Sequence, residues 1–110
     1  MDGMTALTEQ DFRVKSDAAI DQARRALMTL ADQEGFEIEM QDGVLNLLFE
    51  DPSEARFVVS PNAPVRQIWV SAMARSYKLS WAPEKQAFAL DGEVLTQLLE
   101  RLARTFLEGA

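Results

Sequence analysis

Carboxylates are the side chains of this sequence with the clearest capacity for chemistry. The 110 residues include 18 Asp and Glu against 11 Lys and Arg, with no cysteine and no histidine, and the formal net charge is −7. Without thiol or imidazole groups, zinc and copper sites, cysteine nucleophiles and histidine-based triads lose their usual parts. Any metal site would therefore use oxygen ligands, which favour hard cations.

The acids are concentrated between Arg25 and Arg56, a stretch without any basic residue. The acids of this stretch are Asp32, Glu34, Glu37, Glu39, Asp42, Glu50, Asp51 and Glu54. Such a block repels nucleic-acid phosphates and attracts cations or basic protein surfaces. A solvated charged face is the ordinary alternative for a run of charges, and the spacing of the acids leaves both interpretations open.

The second chemical feature is a tryptophan among polar residues. If residues 67–71 form a strand, Ile68 and Val70 point to one face and Trp69 points to the other. An exposed tryptophan with polar neighbours is typical of a protein interface. In the alternative register Trp69 belongs to the core, but Ile68 and Val70 then face solvent. We expect hydrogen-bonding groups around Trp69 from Gln67, Asn62 and Ser71, and a basic edge from Arg66, Arg75 and Lys78.

Two helices are predicted near the ends of the chain. Apolar residues recur at helical spacing over residues 8–33, with Thr8 as the expected N-cap and Gly35 as the residue that ends the helix. The same periodicity predicts a second helix over residues 92–108, capped by Asp91.

The residues between the helices predict antiparallel strands. Asp42-Gly43 is a strong two-residue turn signal and pairs Gln41 with Val44. The pairs that follow outward on the buried face are Met40 with Leu45, Ile38 with Leu47, and Phe36 with Phe49. Further strands are predicted at 55–60, 66–72, 76–81 and 86–90, whereas two prolines are expected to keep residues 60–64 out of the sheet.

The predicted fold is α+β: a two-layer sandwich with the N- and C-terminal helices packed on one face of a 5–6-stranded antiparallel sheet. The length fits a single domain over residues 1–110. No apolar run is long enough to span a membrane, and the N-terminal residues resemble neither a secretion signal nor a transit peptide. We therefore expect a cytoplasmic protein from a bacterium.

Several stretches, taken in order, resemble the frataxin family and in particular its bacterial, CyaY-like members. The stretches are "DGVLNLLFED" (42–51), "PNAPVRQIWVS" (61–71), "SYKLSW" (76–81) and "DGEVLTQLLERL" (91–102). The similarity runs from about Phe12 to the end of the second helix. The fold of that family agrees with the architecture predicted above.

The resemblance implies a role in iron–sulfur cluster assembly. Family members bind ferrous or ferric iron weakly through exposed carboxylates, contact the cysteine desulfurase and the scaffold protein, and are not conventional enzymes. The implied iron ligands here are Asp17, Asp21, Asp32, Glu34, Glu37 and Glu39. Arg24, Arg25, Met28 and Thr29 stand where relatives tend to carry acids, so the acidic ridge of the family is thinned. We expect a monomer and leave iron-dependent oligomers open.

Two other classes of protein remain as alternatives at this point. One is a small acidic chaperone or protein-binding module without a metal function, which would generally dimerise. The other is an iron-oxidising enzyme with oxygen ligands.

Overall fold

The computed structural model describes residues 7–109, which form two helices and an antiparallel sheet. The elements in chain order are α1 (Glu9–Glu34), β1 (Glu37–Gln41), β2 (Val44–Phe49), β3 (Ala55–Asn62), a short 3-10 helix (Ala63–Val65), β4 (Gln67–Ala72), β5 (Arg75–Ala82), β6 (Ala87–Leu90), β7 (Glu93–Val94) and α2 (Leu95–Leu107). The strands lie in the order β1 to β7, so each strand pairs with its neighbours in the chain. Both helices pack on one face of the sheet, which confirms the predicted two-layer α+β sandwich.

The first helix has the predicted caps. The Thr8 hydroxyl accepts a hydrogen bond from the backbone N–H of Asp11 at 3.0 Å. Gly35 adopts a left-handed conformation with φ 83°, and its N–H donates to the Ala31 carbonyl at 2.8 Å. Glycine reaches this conformation without a steric penalty, which explains why the helix ends there. Among residues 7–109, neither helix combines the length and the apolar composition needed to cross a membrane.

The first hairpin has the predicted register. Gln41 pairs with Val44, and the pairing continues outward without a bulge to Glu37 opposite Leu48. Asp42 and Gly43 have φ 52° and 80°, as a type I′ turn requires. The turn type and the alternation of apolar residues therefore specify the same strand register.

The sheet has seven strands in the described chain, rather than the predicted five or six, and the second helix starts later than predicted. Asp91 was expected to cap that helix, and this prediction was wrong. Asp91 and Gly92 have φ 51° and 84°, nearly the angles of the first Asp-Gly turn, and they connect β6 to the two-residue strand β7. The helix begins only at Leu95, and its N-cap residue Val94 makes no side-chain capping bond.

The predicted loop over residues 60–64 is partly a strand. β3 continues through Pro61, which lies opposite Ile68 of β4. The pairing of β3 with β2 ends at Val59, so Pro61 has a neighbouring strand on one side only. Proline is tolerated at such edge positions because no ladder bond is required on the open side.

The core lies between the helices and the sheet, and one aromatic cluster within it surrounds Phe49. Its ring centroid is 4.6 Å from that of Phe36 and 4.8 Å from those of Phe57 and Phe106. These rings come from both layers and are distant in sequence, from Phe36 to Phe106. The cluster therefore joins α2, β2, β3 and the link between α1 and β1.

The turn between β4 and β5 is strained, and relieving it is expected to stabilise the protein. Met73 and Ala74 have φ 51° and 62°, a region that L-residues avoid. We expect Ala74→Gly to raise the free energy of unfolding by about 0.5–1 kcal/mol, measured by urea denaturation, because glycine removes the steric cost. As a control, Ala18→Gly on the exposed side of α1 should lower it by about 1 kcal/mol. A loss of stability in both variants would contradict this interpretation of the turn.

Candidate functional site

Trp69 lies on the face of the sheet that the helices do not cover. Its neighbours Ile68 and Val70 are 0% and 1% exposed and point into the core, while Trp69 is half-buried on the outer face. The register predicted from the alternation is therefore correct. The alternative, in which Trp69 belongs to the core, was wrong, because it would expose two branched apolar side chains.

The orientation of the Trp69 side chain is fixed by its neighbours on β4 and β5. Its indole Nε1 donates a hydrogen bond to Gln67 Oε1 at 2.9 Å, and Gln67 Nε2 donates to Ser80 Oγ at 3.2 Å. Lys78, directly opposite Trp69 on β5, places its Nζ 4.8 Å from the ring centroid. Since the indole N–H is already satisfied, a binding partner would contact Trp69 through the apolar ring.

The other residues predicted around Trp69 divide into two groups. Asn62 pairs with Gln67, and the exposed Ser71 lies further along β4, so both belong to the same face as Trp69. Arg75 lies at the hairpin end of β5 opposite the buried Ala72, so it belongs to the helix-facing side of the sheet and not to the face of Trp69. Its guanidinium carbon is 5.6 Å from the ring centroid of Tyr77, on that same side. Arg75 therefore does not contribute to the predicted basic edge around Trp69.

Arg66 is engaged within the protein. Its Nε donates to the Leu7 carbonyl at 3.1 Å, and its Nη1 donates to the Ala63 carbonyl. The side chain therefore links Leu7, ahead of α1, to the 3-10 helix. Two of its N–H groups are therefore committed to backbone carbonyls, while its positive charge remains uncompensated by these neutral acceptors.

Three apolar residues on the outer face were not singled out from the sequence. Val44, Leu48 and Val58 alternate with the buried residues of β2 and β3 and are only half-buried. Val58 pairs with Ser71, so it lies diagonally next to Trp69 across β3 and β4. The sequence did carry a signal for them: in these strands apolar residues occupy positions that face either side of the sheet, as in "VLNLLF".

The predicted iron ligands lie along α1 and β1 but do not converge. Asp17, Asp32 and Glu34 are exposed on α1, whereas Glu37 and Glu39 are exposed on β1. The two strand residues share one face at about 7 Å separation. Within the part of the chain that the structure describes, no three acidic side chains are arranged to hold a metal ion. An ion at this surface would have few protein ligands at any one position.

Asp21 differs from the other acids because two arginines of α1 bind it. Arg24 Nη2 lies 2.9 Å from Oδ1, and Arg25 Nη2 lies 2.5 Å from Oδ2. The hydrogen bonds from Arg24 and then Arg25 lower the pKa of the Asp21 carboxyl below its usual value. Its negative charge is therefore locally compensated and contributes little to cation binding.

The acidic strand and Trp69 belong to the same face of the sheet. Glu37 and Glu39 project from β1 opposite to its inward residues, as Trp69 does on β4. Three strand spacings separate β1 from β4, about 14 Å. The outer face is thus the side of the sheet that the helices leave uncovered. Its residues include Trp69, Gln67, Val58, Val44, Leu48, Glu37 and Glu39. It combines an apolar centre with an acidic edge.

These features define a class of protein. It is an α+β sandwich of consecutive hairpins. Its helices cover one face of the sheet, and the other face presents an oriented tryptophan and, three strands away, an acidic edge. The chain belongs to the frataxin-like family, since the family model described as a frataxin-like domain matches residues 5–109. The predicted resemblance to this family is confirmed.

Curated relatives and a solved structure agree with this assignment. The iron-sulfur cluster assembly protein CyaY of Pseudomonas syringae pv. syringae (strain B728a) is 28% identical over 100 residues, covering 87% of this chain and 86% of the relative. The protein of the same name from Cupriavidus metallidurans is 32% identical over 76 residues, 67% of each chain. The structure of frataxin from Psychromonas ingrahamii matches with a TM-score of 0.62 and 14% identity, covering 94% of this chain and 92% of that one, and so supports the fold.

Proposed function

We propose that this protein is a CyaY-like adaptor of iron–sulfur cluster assembly, formed by a single frataxin-like domain over residues 1–110. The main support is its membership of the frataxin-like family, whose curated relatives here carry the name iron-sulfur cluster assembly protein. In this role it regulates the complex of cysteine desulfurase and scaffold protein, or donates iron to it, and is not itself an enzyme. Its site of action is the bacterial cytoplasm, and without iron it is a monomer.

The outer face is the proposed docking surface for that complex. Trp69 is a large, oriented side chain with an apolar ring, and Val58 extends the apolar area beside it. Aromatic anchors of this kind contribute most to the affinity of protein interfaces. Glu37 and Glu39 at the edge attract a basic partner surface and accelerate its approach.

The test of this proposal is direct binding to the cysteine desulfurase and scaffold protein of the same organism. The immobilised protein is expected to retain the complex at low salt and to release it as salt increases, since part of the attraction is between exposed charges. Binding of neither component under low-salt conditions would rule out the adaptor role. Light scattering of the free protein measures the expected monomer separately.

Iron is proposed to bind as cargo, weakly, at the exposed carboxylates of α1 and β1. Asp32, Glu34, Glu37 and Glu39 are exposed and can bind a hydrated ion without the cost of forming a buried cage. Asp17 is also exposed but lies earlier on α1. Asp21 is the weakest of the six predicted ligands, because Arg24 and Arg25 already hold its carboxylate.

Ferrous iron is expected to shift or broaden the amide NMR signals of Glu37 and Glu39 with a dissociation constant of about 0.1 mM or weaker, as for all-oxygen sites with few ligands. The Glu37→Gln and Glu39→Gln double variant should lose the response at β1. The matched variant Asp21→Asn should keep the response at Glu37 and Glu39, since Asp21 lies on α1 and its carboxylate is held by Arg24 and Arg25 rather than facing β1 alone. A titration without any response at Asp32, Glu34, Glu37 or Glu39 would remove iron from the proposed function.

A further inference from the structure

The outermost strand β1 has an open edge. β1 spans Glu37–Gln41 and pairs with β2 on one side, and no other strand among residues 7–109 pairs with its other side. The backbone N–H and C=O groups on that side are a template for another extended segment. Since β1 is regular and antiparallel to β2 over its full length, an added strand would meet no bulge.

A groove lined by apolar and charged residues runs beside this open edge, between α1 and β1. It has a volume of about 390 Å³ and is lined by Arg24, Met28, Ala31, Asp32, Phe36, Glu37 and Ile38. We call it the edge groove. Two large apolar side chains at or near it remain in solvent: Met28 is 48% exposed and Met40 is 41% exposed.

The exposure of Met40 has a structural cause. Ile38 and Met40 lie opposite Leu47 and Leu45, which are fully buried on the helix-facing side of the sheet. Ile38 is half-buried and still packs against the core, whereas Met40, further along β1, is left 41% exposed, so the apolar row continues beyond the core. Exposed apolar side chains next to an unpaired strand edge are the features that bind an extended peptide by strand addition.

We propose that the edge groove and β1 bind an extended segment of a partner protein in which basic and apolar residues alternate. The segment adds a strand next to β1. Its apolar side chains lie against Met28 and Ile38 in the edge groove and against Met40 further along β1, and its basic side chains lie on the opposite side of the sheet beside Glu37 and Glu39. Successive side chains of a strand point to opposite faces, which is why the pattern must alternate.

Charge complementarity favours such a partner over a second copy of this chain. Two copies paired through β1 would bring Glu37 and Glu39 of each copy together, and each copy has a formal net charge of −7. Like charges across a strand pair are destabilising, whereas opposite charges stabilise it. This inference rests on β1 and the edge groove and not on the proposed function, so either can fail while the other holds.

The probe is a synthetic peptide in which lysine and valine alternate. We expect it to shift the amide NMR signals of residues 37–41 and to slow hydrogen exchange of the β1 amides that point away from β2. The control peptide has the same composition and charge, but all its lysines precede all its valines. It should bind about tenfold more weakly, because it cannot place valines in the edge groove and lysines beside the glutamates at the same time. Equal affinity of the two peptides would overturn the proposal, because it would show attraction by net charge alone.

Variants of the protein test the edge groove directly. Met28→Ser and Met40→Ser remove exposed side chains, so the fold should persist. Each variant should lower the affinity for the alternating peptide by about tenfold. Val14→Ser is the matched control: Val14 is the most exposed large apolar residue described, at 64%, and belongs neither to the edge groove nor to β1. An equal loss of affinity in Val14→Ser, or no loss in the two methionine variants, would contradict the assignment.

Backbone pairing has its own test in two N-methylated forms of the alternating peptide, one methylated on valines and the other on lysines. Because N–H groups alternate in direction along a strand, one form should lose binding and the other should retain it. Retention of full affinity by both forms would exclude strand addition. Desulfurase binding, measured in parallel, should be retained by the Met40→Ser variant, which separates failure of this inference from failure of the adaptor role.

Discussion

Trp69→Ala is expected to weaken binding of the desulfurase–scaffold complex by about 30-fold or more. This corresponds to about 2 kcal/mol, the lower limit for an aromatic anchor at the centre of an interface. Trp69 meets the requirements for such an anchor, because Gln67 and Lys78 orient its ring before any partner arrives. Less side-chain entropy is therefore lost on binding than for a freely rotating side chain. Isothermal titration calorimetry with the purified complex measures the change.

The controls for Trp69→Ala separate loss of contact from loss of fold. The side chain is on the outer face, so the urea midpoint should change little, in contrast to substitutions in the core. Gln67→Ala leaves the ring in place but removes the acceptor of its indole N–H, and we expect a smaller loss of affinity, about fivefold. A Trp69→Ala affinity within about threefold of the native value would show that the outer face is not the docking surface.

The parts of the fold that the sequence predicted are those in which two local signals agree. At the first hairpin, the Asp42-Gly43 turn and the alternation of apolar residues specify the same register, and the structure has that register. The helix α1 likewise has both a Thr8 cap and an apolar stripe. The outward position of Trp69 followed from the alternation of β4 alone, because only one register buries Ile68 and Val70.

The errors arose where one signal had two structural meanings. Asp91-Gly92 is the same dipeptide as Asp42-Gly43, but β7 is only two residues long and is too short to show alternation. Without that second signal, an aspartate before an apolar periodic stretch also predicts a helix cap. Pro61 was interpreted as a strand breaker because the sequence does not show that β2 ends before it. Edge positions depend on neighbours that are distant in sequence.

The candidate site shows the same division between local and distant information. The pairing of Asp21 with Arg24 and Arg25 follows from spacings of three and four residues on one helix, and so was accessible from the sequence. The contact of Arg66 with the Leu7 carbonyl joins residues 59 positions apart, and no local pattern indicates it. The iron ligands remain a prediction from the family resemblance, since the structure places them along a surface rather than in one cluster.

The largest expected effect on stability is that of Phe49→Ala. Phe49 is 2% exposed, and its ring packs against Phe36, Phe57 and Phe106 at centroid distances of 4.6–4.8 Å. Truncation of such a buried aromatic residue costs about 3–5 kcal/mol, which approaches the whole stability of a small domain. We expect a corresponding decrease in the free energy of unfolding by urea denaturation. Phe49→Leu, which retains most of the volume, should cost less than half as much.

The consequence of this variant for function depends on where Phe49 lies. Phe49 is on the inner side of β2, whereas the docking residues are on the outer side, so the substitution removes no contact with a partner. At temperatures where Phe49→Ala remains folded, we therefore expect native affinity for the desulfurase–scaffold complex and a reduced concentration of active protein. Trp69→Ala should show the opposite: a native unfolding transition and low affinity. If both variants lost affinity while folded, the outer face would not be separable from the core beneath it, and the assignment of binding to Trp69 would lose its support.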